Sequence, residues 1–418
     1  MQKRDFLKNL GALGALGLPG LSSALNTHGH LTSRRLSSNE EFWKLVRSDY
    51  VLKDDYINLE NGYYCFLPQP TLDKYIEHIR DINRDGSWYM RTVQWENKKR
   101  VTGAVAELAG CQSDELVITR NTTESLDLII AGQKWESGDE AIMAEQDYGA
   151  MLNQFKLMSK RYGVVNKLVS LPNHPKNDDE IVALYAAQIT EKTRLLMVCH
   201  MVNITGQVLP IRKICDMAHE RGVEVMVDGA HAFAHLDFKL SDLNCDYYGT
   251  SLHKWLSVPL GAGFLYVKKG KAADVWPLLA EDDREPDDIS RLNHTGTHPV
   301  HTDLAIEAAI AYHMAIGSER KERRLKFLQN YWTSKVRELP KVVVNTPKDM
   351  NRHGAIANVG VDGIEPAQLS KRLLEEFKIW TVAINRPGVR GVRITPNVYT
   401  STAELDVFVS AIKSISGN

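Results

Sequence analysis

Two polar residues that close apolar runs carry the most chemical content in this chain. Val223-Glu-Val-Met-Val-Asp228-Gly-Ala-His231 reads as a buried strand ending in a carboxylate, and a buried carboxylate needs a cationic or hydrogen-bonding partner. Ser251-Leu-His253-Lys254-Trp255 follows, placing Lys254 26 residues beyond Asp228. A lysine after a Ser-x-His turn, among apolar residues and ahead of Gly261-Ala-Gly263, is expected to be partly desolvated. Burial lowers the pKa of an amine and leaves more of it as the neutral nucleophile. A third segment, Thr119-Arg120-Asn121-Thr122-Thr123-Glu124-Ser125, joins an apolar strand to an amphipathic helix. Hydroxyls and unpaired N–H groups at a helix N-terminus make a cradle for a phosphate dianion. The same residues also make an ordinary N-cap, so each segment taken singly is more readily structural than functional.

The elements that must position these residues alternate. Apolar runs predict strands at 115–119, 140–144, 195–200, 223–228, 247–250 and 263–267, with helices at 123–133, 149–162 and 211–221 between them. That alternation predicts an α/β domain around a mostly parallel sheet, which binds ligands at the carboxyl ends of its strands. Beyond residue 300 the pattern changes. A long helical stretch, 303–339 with a break near Gly317, leads to strands at 342–345 and 356–361 and to helices at 366–377 and 403–415. The expected organisation is a large domain over 71–300, a smaller α+β domain over 301–418, and a segment 26–70 packed against the latter.

A chain of 418 residues with 43% hydrophobic and 25% charged residues is globular and long enough for two cores. A net charge of −1 with no basic run argues against a nucleic-acid partner. Past residue 25 no apolar stretch is long enough for a membrane span. The five cysteines, Cys65, Cys111, Cys199, Cys215 and Cys245, are scattered and never spaced C-x-x-C, which speaks against a disulfide scaffold. His28 and His30, and His294, His298 and His301, lack a carboxylate or thiolate to complete a metal set, so no metal is expected. Lys3-Arg4-Asp5-Phe6-Leu7-Lys8 precedes an apolar stretch from Leu10 to Leu21 and the small residues Ser22, Ser23 and Ala24. This reads as an export signal over 1–25. It resembles a twin-arginine leader with Lys-Arg in place of the arginine pair. A periplasmic or exported location is expected, with a capping helix of a cytoplasmic protein as the alternative.

Six motifs stand in one order: Arg120-Asn-Thr-Thr-Glu, Asp147-Tyr148, Thr205-Gly-Gln-Val-Leu-Pro210, Asp228-Gly-Ala-His231, Ser251-Leu-His-Lys254 and Thr295-Gly-Thr297. Together they resemble the class V aminotransferases of pyridoxal phosphate fold type I, and within them the isopenicillin N epimerase-like branch. The resemblance runs from about Asp55 to the C-terminus. It implies that Lys254 holds pyridoxal 5'-phosphate as a Schiff base and shuttles the Cα proton, and that Asp228 pairs with the pyridine nitrogen. It implies further that His231 reaches the ring's phenolic oxygen, that Asn203 contacts the same edge or the substrate, and that Tyr148 stacks on the ring. Thr122, Thr123, Ser251 and His253 would hold the phosphate, with Thr297 reaching in from the second subunit of a homodimer. Arg393, in Gly391-Val-Arg393-Ile-Thr-Pro, matches the arginine that clamps a substrate carboxylate, with Asn61 nearby. One departure counts. Desulfurases of this class carry a catalytic cysteine on the loop before that arginine, and Asn385-Arg-Pro-Gly-Val-Arg-Gly-Val-Arg393 has none. The expected activity is Cα–H abstraction from an amino acid or derived metabolite, epimerase- or lyase-like. An aminotransferase with a keto-acid acceptor is the alternative, and a non-catalytic binding protein of the same fold a weaker one.

Overall fold

The computed structural model describes residues 19–280 and 283–417. Seven strands form its central sheet: β1 (Leu116–Thr119), β2 (Glu140–Ala144), β3 (Val165–Val169), β4 (Thr193–Cys199), β5 (Glu224–Asp228), β6 (Tyr247–Ser251) and β7 (Gly263–Val267). Their spatial order is β1-β7-β6-β5-β4-β2-β3. The strands from β3 to β6 pair in parallel, and β7 runs antiparallel to both β6 and β1. Every residue of β1, β2, β6 and β7 is buried, as expected of a sheet covered on both faces. The edge strand β3 is more polar and leaves Val165 and Leu168 exposed.

Helices close the crossovers. Thr122–Gly132 begins at Asn121, whose side chain accepts the Glu124 N–H at 2.9 Å, and Gly149–Tyr162 ends at Gly163 in the left-handed region. The helices Asp178–Ala186 and Ile211–His219 complete the series. Each of these aligned strands delivers its last residue to the same edge of the sheet, where β1, β2, β3 and β4 lead on to a helix and β5 and β6 to loops.

A four-stranded antiparallel sheet lies C-terminally: β8 (Val342–Val344), β9 (Ala357–Val361), β10 (Val382–Arg386) and β11 (Val389–Ile394), in the order β10-β11-β9-β8. The helices Ser318–Val336, Pro366–Phe377 and Thr402–Ser416 cover it around a core that includes Trp332, Val359, Val392 and Phe408. The helical stretch expected over 303–339 is two helices, Val300–Ile316 and Ser318–Val336, broken at Gly317. The first packs on Gln69–Asp85 and Gln94–Ala109, and the second on Thr402–Ser416. The N-terminal segment does reach the C-terminal part. Arg47 pairs with Glu404 and Glu40 with Arg324, while Ile57–Asn58 runs parallel to Ile379–Trp380.

Residues 1–18 of the expected leader lie outside the described residues. Its last residues belong to the helix Pro19–His28, where Asp49 accepts the Gly20 and Leu21 N–H groups, both at 2.8 Å, and Leu21 and Ala24 are fully buried. Among the described residues no helix is long and apolar enough to cross a membrane.

Candidate active site

Lys254 sits in a tight loop between β6 and β7 that is fastened from four directions. Leu252 N–H donates to the Ala262 carbonyl at 2.9 Å, and Cys65 N–H to the His253 carbonyl at 3.2 Å. Ser257 adopts a left-handed backbone (φ 58°), uncommon for a residue with a Cβ, and its N–H donates to the Lys254 carbonyl at 2.9 Å. The buried ammonium of Lys321 donates to the Trp255 carbonyl. The backbone that carries the lysine is thus held at four points.

Asp228 ends β5 and turns immediately at Gly229, whose Cβ, were there one, would stand 2.0 Å from the Tyr248 ring. Only glycine fits there. The Asp228 carboxylate accepts the Ala230 N–H at 2.9 Å and faces the Cys199 thiol at 3.9 Å. Burial pushes its pKa up, opposed by the Ala230 N–H and by the charge of Lys254. Lys254 answers in kind. Burial pulls its pKa down to about 8; Asp228 opposes the shift and Arg393 adds to it. Amine and carboxylate therefore lie within one electrostatic field.

His231 joins them. Its Nδ1 accepts the Trp255 indole N–H at 3.3 Å, and an indole nitrogen can only donate. Burial first, then the charges of Lys254 and Arg393, hold the ring far below its ordinary pKa, so it is neutral. The single ring proton must then reside on Nε2, which stands 3.2 Å from Lys254 Nζ. That geometry suits a neutral amine accepting from the imidazole.

Across the carboxyl edge, Thr122 and Ser251 meet at the start of the helix Thr122–Gly132. Thr122 N–H donates to Ser251 Oγ at 2.9 Å, and the two hydroxyls are 2.7 Å apart. Thr123 follows in the first turn. His253 is held neutral by burial, its pKa lowered to about 4, and its buried Nδ1 has no hydrogen-bond partner. Tyr148 precedes the helix Gly149–Tyr162 with its ring 47% exposed. Thr297 is exposed, and among the described residues no hydrogen bond joins it to Thr122, Ser251 or Lys254.

Arg393, on β11, brings a residue that sequence reading missed. Its Nε and Nη2 donate to Glu60 at 3.1 and 2.5 Å, and Nη1 donates to the Asn203 carbonyl at 3.2 Å. Glu60 also accepts the Gly62 and Tyr63 N–H groups at 3.0 and 3.1 Å. The arginine and the carboxylate are both buried and lie 333 residues apart in the chain. Gly62 makes the approach possible, because a Cβ there would stand 2.8 Å from the guanidinium. The signal for Glu60 is an acidic residue after the apolar run Tyr56-Ile57-Asn58-Leu59 and just ahead of the Asn61-Gly62 turn. Asn61 differs from its expected role: its amide is fully buried and spent inside the protein. It donates to the Thr395 carbonyl at 2.8 Å and accepts from Asn58 and from the Tyr399 hydroxyl at 2.9 and 2.7 Å. Asn61 anchors the turn that presents Glu60.

Residues 385–393 form the tight β10–β11 hairpin through Gly388 (φ 73°), and buried Cys65, whose pKa burial raises to about 12, donates its thiol to the Asn61 carbonyl. Of the three histidines between 294 and 301, His298 bonds Asp303 at 3.0 Å and His301 packs on Tyr75. Among the described residues no three His, Cys, Asp or Glu side chains converge to hold a metal ion.

Comparison with known proteins places this geometry. The family model for aminotransferase class-V matches residues 66–394. Isopenicillin N epimerase of Streptomyces clavuligerus is 26% identical over 398 residues, covering 90% of this chain and 98% of its own. A cysteine desulfurase from Thermococcus onnurineus superposes with a TM-score of 0.79 at 21% identity, over 90% of this chain and 98% of its own. A cystine C–S lyase solved with its product cysteine persulfide superposes with a TM-score of 0.77 at 21% identity, over 85% of this chain and 96% of its own.

Proposed function

The chain belongs to the aminotransferase class-V family, and from that premise we propose that it abstracts the Cα proton of an amino acid or amino-acid-derived metabolite, leading to epimerisation or lyase-type cleavage. The observation that carries this reading is the buried group of Lys254, neutral His231 and an Asp228 carboxylate without an ion-paired hydrogen bond.

The family's cofactor is pyridoxal phosphate, and the residues present fit it. Asp228, raised by burial, suits a protonated ring nitrogen; the Nε2–H of His231 suits a phenolic oxygen. Thr122, Thr123, Ser251 and the unsatisfied His253 Nδ1 suit a phosphate at a helix N-terminus. Lys254 would hold the cofactor through its amine, Tyr148 would lie against the ring face, and Asn203 would stand at its edge. Bound pyridoxal phosphate supplies an electron sink conjugated with the substrate's Cα and so acidifies the bonds there.

Lys254 then acts as the base. Its pKa near 8 keeps a useful neutral fraction at neutral pH, and its loop holds it in place. Arg393 orients the substrate. Of its five N–H groups, three are taken by Glu60 and Asn203, leaving one on each Nη to meet a carboxylate. An epimerase must return the proton from the opposite face, and Tyr148, or an aromatic of the turn Asn61-Gly62-Tyr63-Tyr64, is the acid we propose for that step. The absence of a cysteine from 385–393, with Cys65 inert, disfavours a persulfide-forming desulfurase.

We further propose a homodimer with shared sites. The large apolar side chains Trp88, Trp95, Leu260 and Trp276 are each about 60% exposed, and Thr297 is exposed with no hydrogen bond among the described residues. Export through the leader over 1–25 is proposed on its sequence pattern, and periplasmic recovery of a tagged chain tests it.

The deciding experiment incubates the protein with an amino-acid panel in deuterated water. Deuterium at Cα with inverted configuration marks an epimerase, released sulfide or another side-chain fragment a lyase, and keto acid formed only with an added acceptor a transaminase. Exchange should vanish in Lys254→Ala. Equal exchange in that variant, or turnover that retains the Cα hydrogen, would contradict the proposal.

A further inference from the structure

Asp228 does not stand alone at the carboxyl edge of the sheet. Strands β2, β4 and β5 are neighbours, and each delivers one polar group to the same place: Asp147 just after β2, Cys199 ending β4, and Asp228 ending β5. Cys199 and Asp228 are register partners, with thiol and carboxylate 3.9 Å apart. Asp147 is 5% exposed. One of its oxygens accepts the Ala144 N–H at 2.7 Å, while the other, Oδ1, is buried with no hydrogen-bond partner. Cys199 ends the strand that lies between those carrying the two carboxylates, and both carboxylates act on its thiol. The titratable groups facing Asp147 are this thiol from β4, Asp228 from β5 and the Tyr185 phenol from the helix Asp178–Ala186. The Tyr185 hydroxyl is likewise buried and unpartnered.

A carboxylate buried beside another carboxylate and a thiol cannot hold its charge as water would let it. Burial, helped by Asp228, raises Asp147 to about 7, so it exchanges its proton within the physiological range. Resting on the assignment of pyridoxal phosphate to this site, we propose that Asp147 is a positioning residue of its ring-nitrogen end. Through Cys199 it sets, as a function of pH, how strongly Asp228 holds a proton on the pyridine nitrogen. While Asp147 is neutral, Asp228 is the one anion beneath the ring. Once ionised, Asp147 adds a second negative charge to the row and raises the proton affinity of everything next to it. Nothing is oxidised or transferred; the proton leaves Asp147 to solvent as pH rises.

The test uses full-length protein loaded with pyridoxal phosphate labelled with nitrogen-15 in the ring, with the ring nitrogen's chemical shift followed from about pH 5.5 to about pH 9. The wild type should show a step near neutrality. Asp147→Asn keeps an oxygen for the Ala144 N–H and removes only the ionisation, so the step should disappear while the cofactor stays bound. Cys199→Ala leaves both carboxylates and removes the thiol on the strand between them, and should move the step by about one pH unit. A wild type that binds the cofactor and titrates identically in both variants overturns this inference alone. A wild type that binds no cofactor overturns it together with the reading on which it rests.

Discussion

Asp228 and Arg393 are both buried charged side chains within the field of Lys254, yet only one has its counter-ion built into the chain. Arg393 is clasped by Glu60 along one edge of its guanidinium, so the substrate end of the site is electrostatically complete in the protein itself. Asp228 has an N–H, a thiol and a distant amine, and burial pushes its pKa up. The difference separates two tasks. A carboxylate short of a cation is poised for a cationic ring nitrogen. A neutralised arginine has its orientation fixed in advance, and binding a carboxylate then costs little reorganisation.

That contrast can be broken in order of effect. Lys254→Ala should abolish cofactor retention and lower turnover by about 10³-fold or more, read by absorbance and the deuterium assay. Arg393→Met should destabilise the cofactor-free protein by about 3–5 kcal/mol in denaturant unfolding, because it strands buried Glu60. Asp228→Asn in the same measurement should change stability by less than about 1 kcal/mol, since it removes a carboxylate that burial already penalises, yet it should slow turnover roughly a hundredfold. Equal destabilisation by the two variants would erase the proposed asymmetry. The smallest effect concerns the exposed loop around Thr297. Asp303 raises the pKa of His298, so its contribution is complete below the unfolded value near 6.5 and is lost as pH rises through the higher folded value. His298→Asn should flatten that pH dependence by less than about 1 kcal/mol in thermal unfolding.

The two ends of the site also differed in how well they could be read from the sequence. Asp228, His231, Thr122, Ser251 and Lys254 each follow an apolar strand within a few residues, and in a parallel sheet that position alone brings them to one edge. Strands such as 140–144 and 263–267 and the helices 149–162 and 366–377 carry clean periodicity and were placed to the residue. At the substrate end only Arg393 was legible, through its motif. Glu60 and Arg393 meet only because an irregular N-terminal turn lies against a hairpin from the far end of the chain, and no local pattern encodes that contact. Asn61 was placed at the substrate only through the family resemblance; its actual partners Thr395 and Tyr399 are equally distant in the chain. The edge strands β3 and β10 escaped notice because solvent on one side lets polar residues interrupt their apolar alternation. The Asp147–Cys199–Asp228 row depends on strand order, which crosses between non-consecutive strands.

The central claim is that one particular amine carries the cofactor, and the chain contains a natural competitor. Lys321 is also buried, with its pKa likewise lowered by burial to about 8. Borohydride reduction of the cofactor-loaded protein followed by peptide mass spectrometry reads the attachment point directly. The phosphopyridoxyl group is predicted on the peptide containing Lys254, with none on Lys321. Attachment to Lys321, or no attachment at all, would contradict the account.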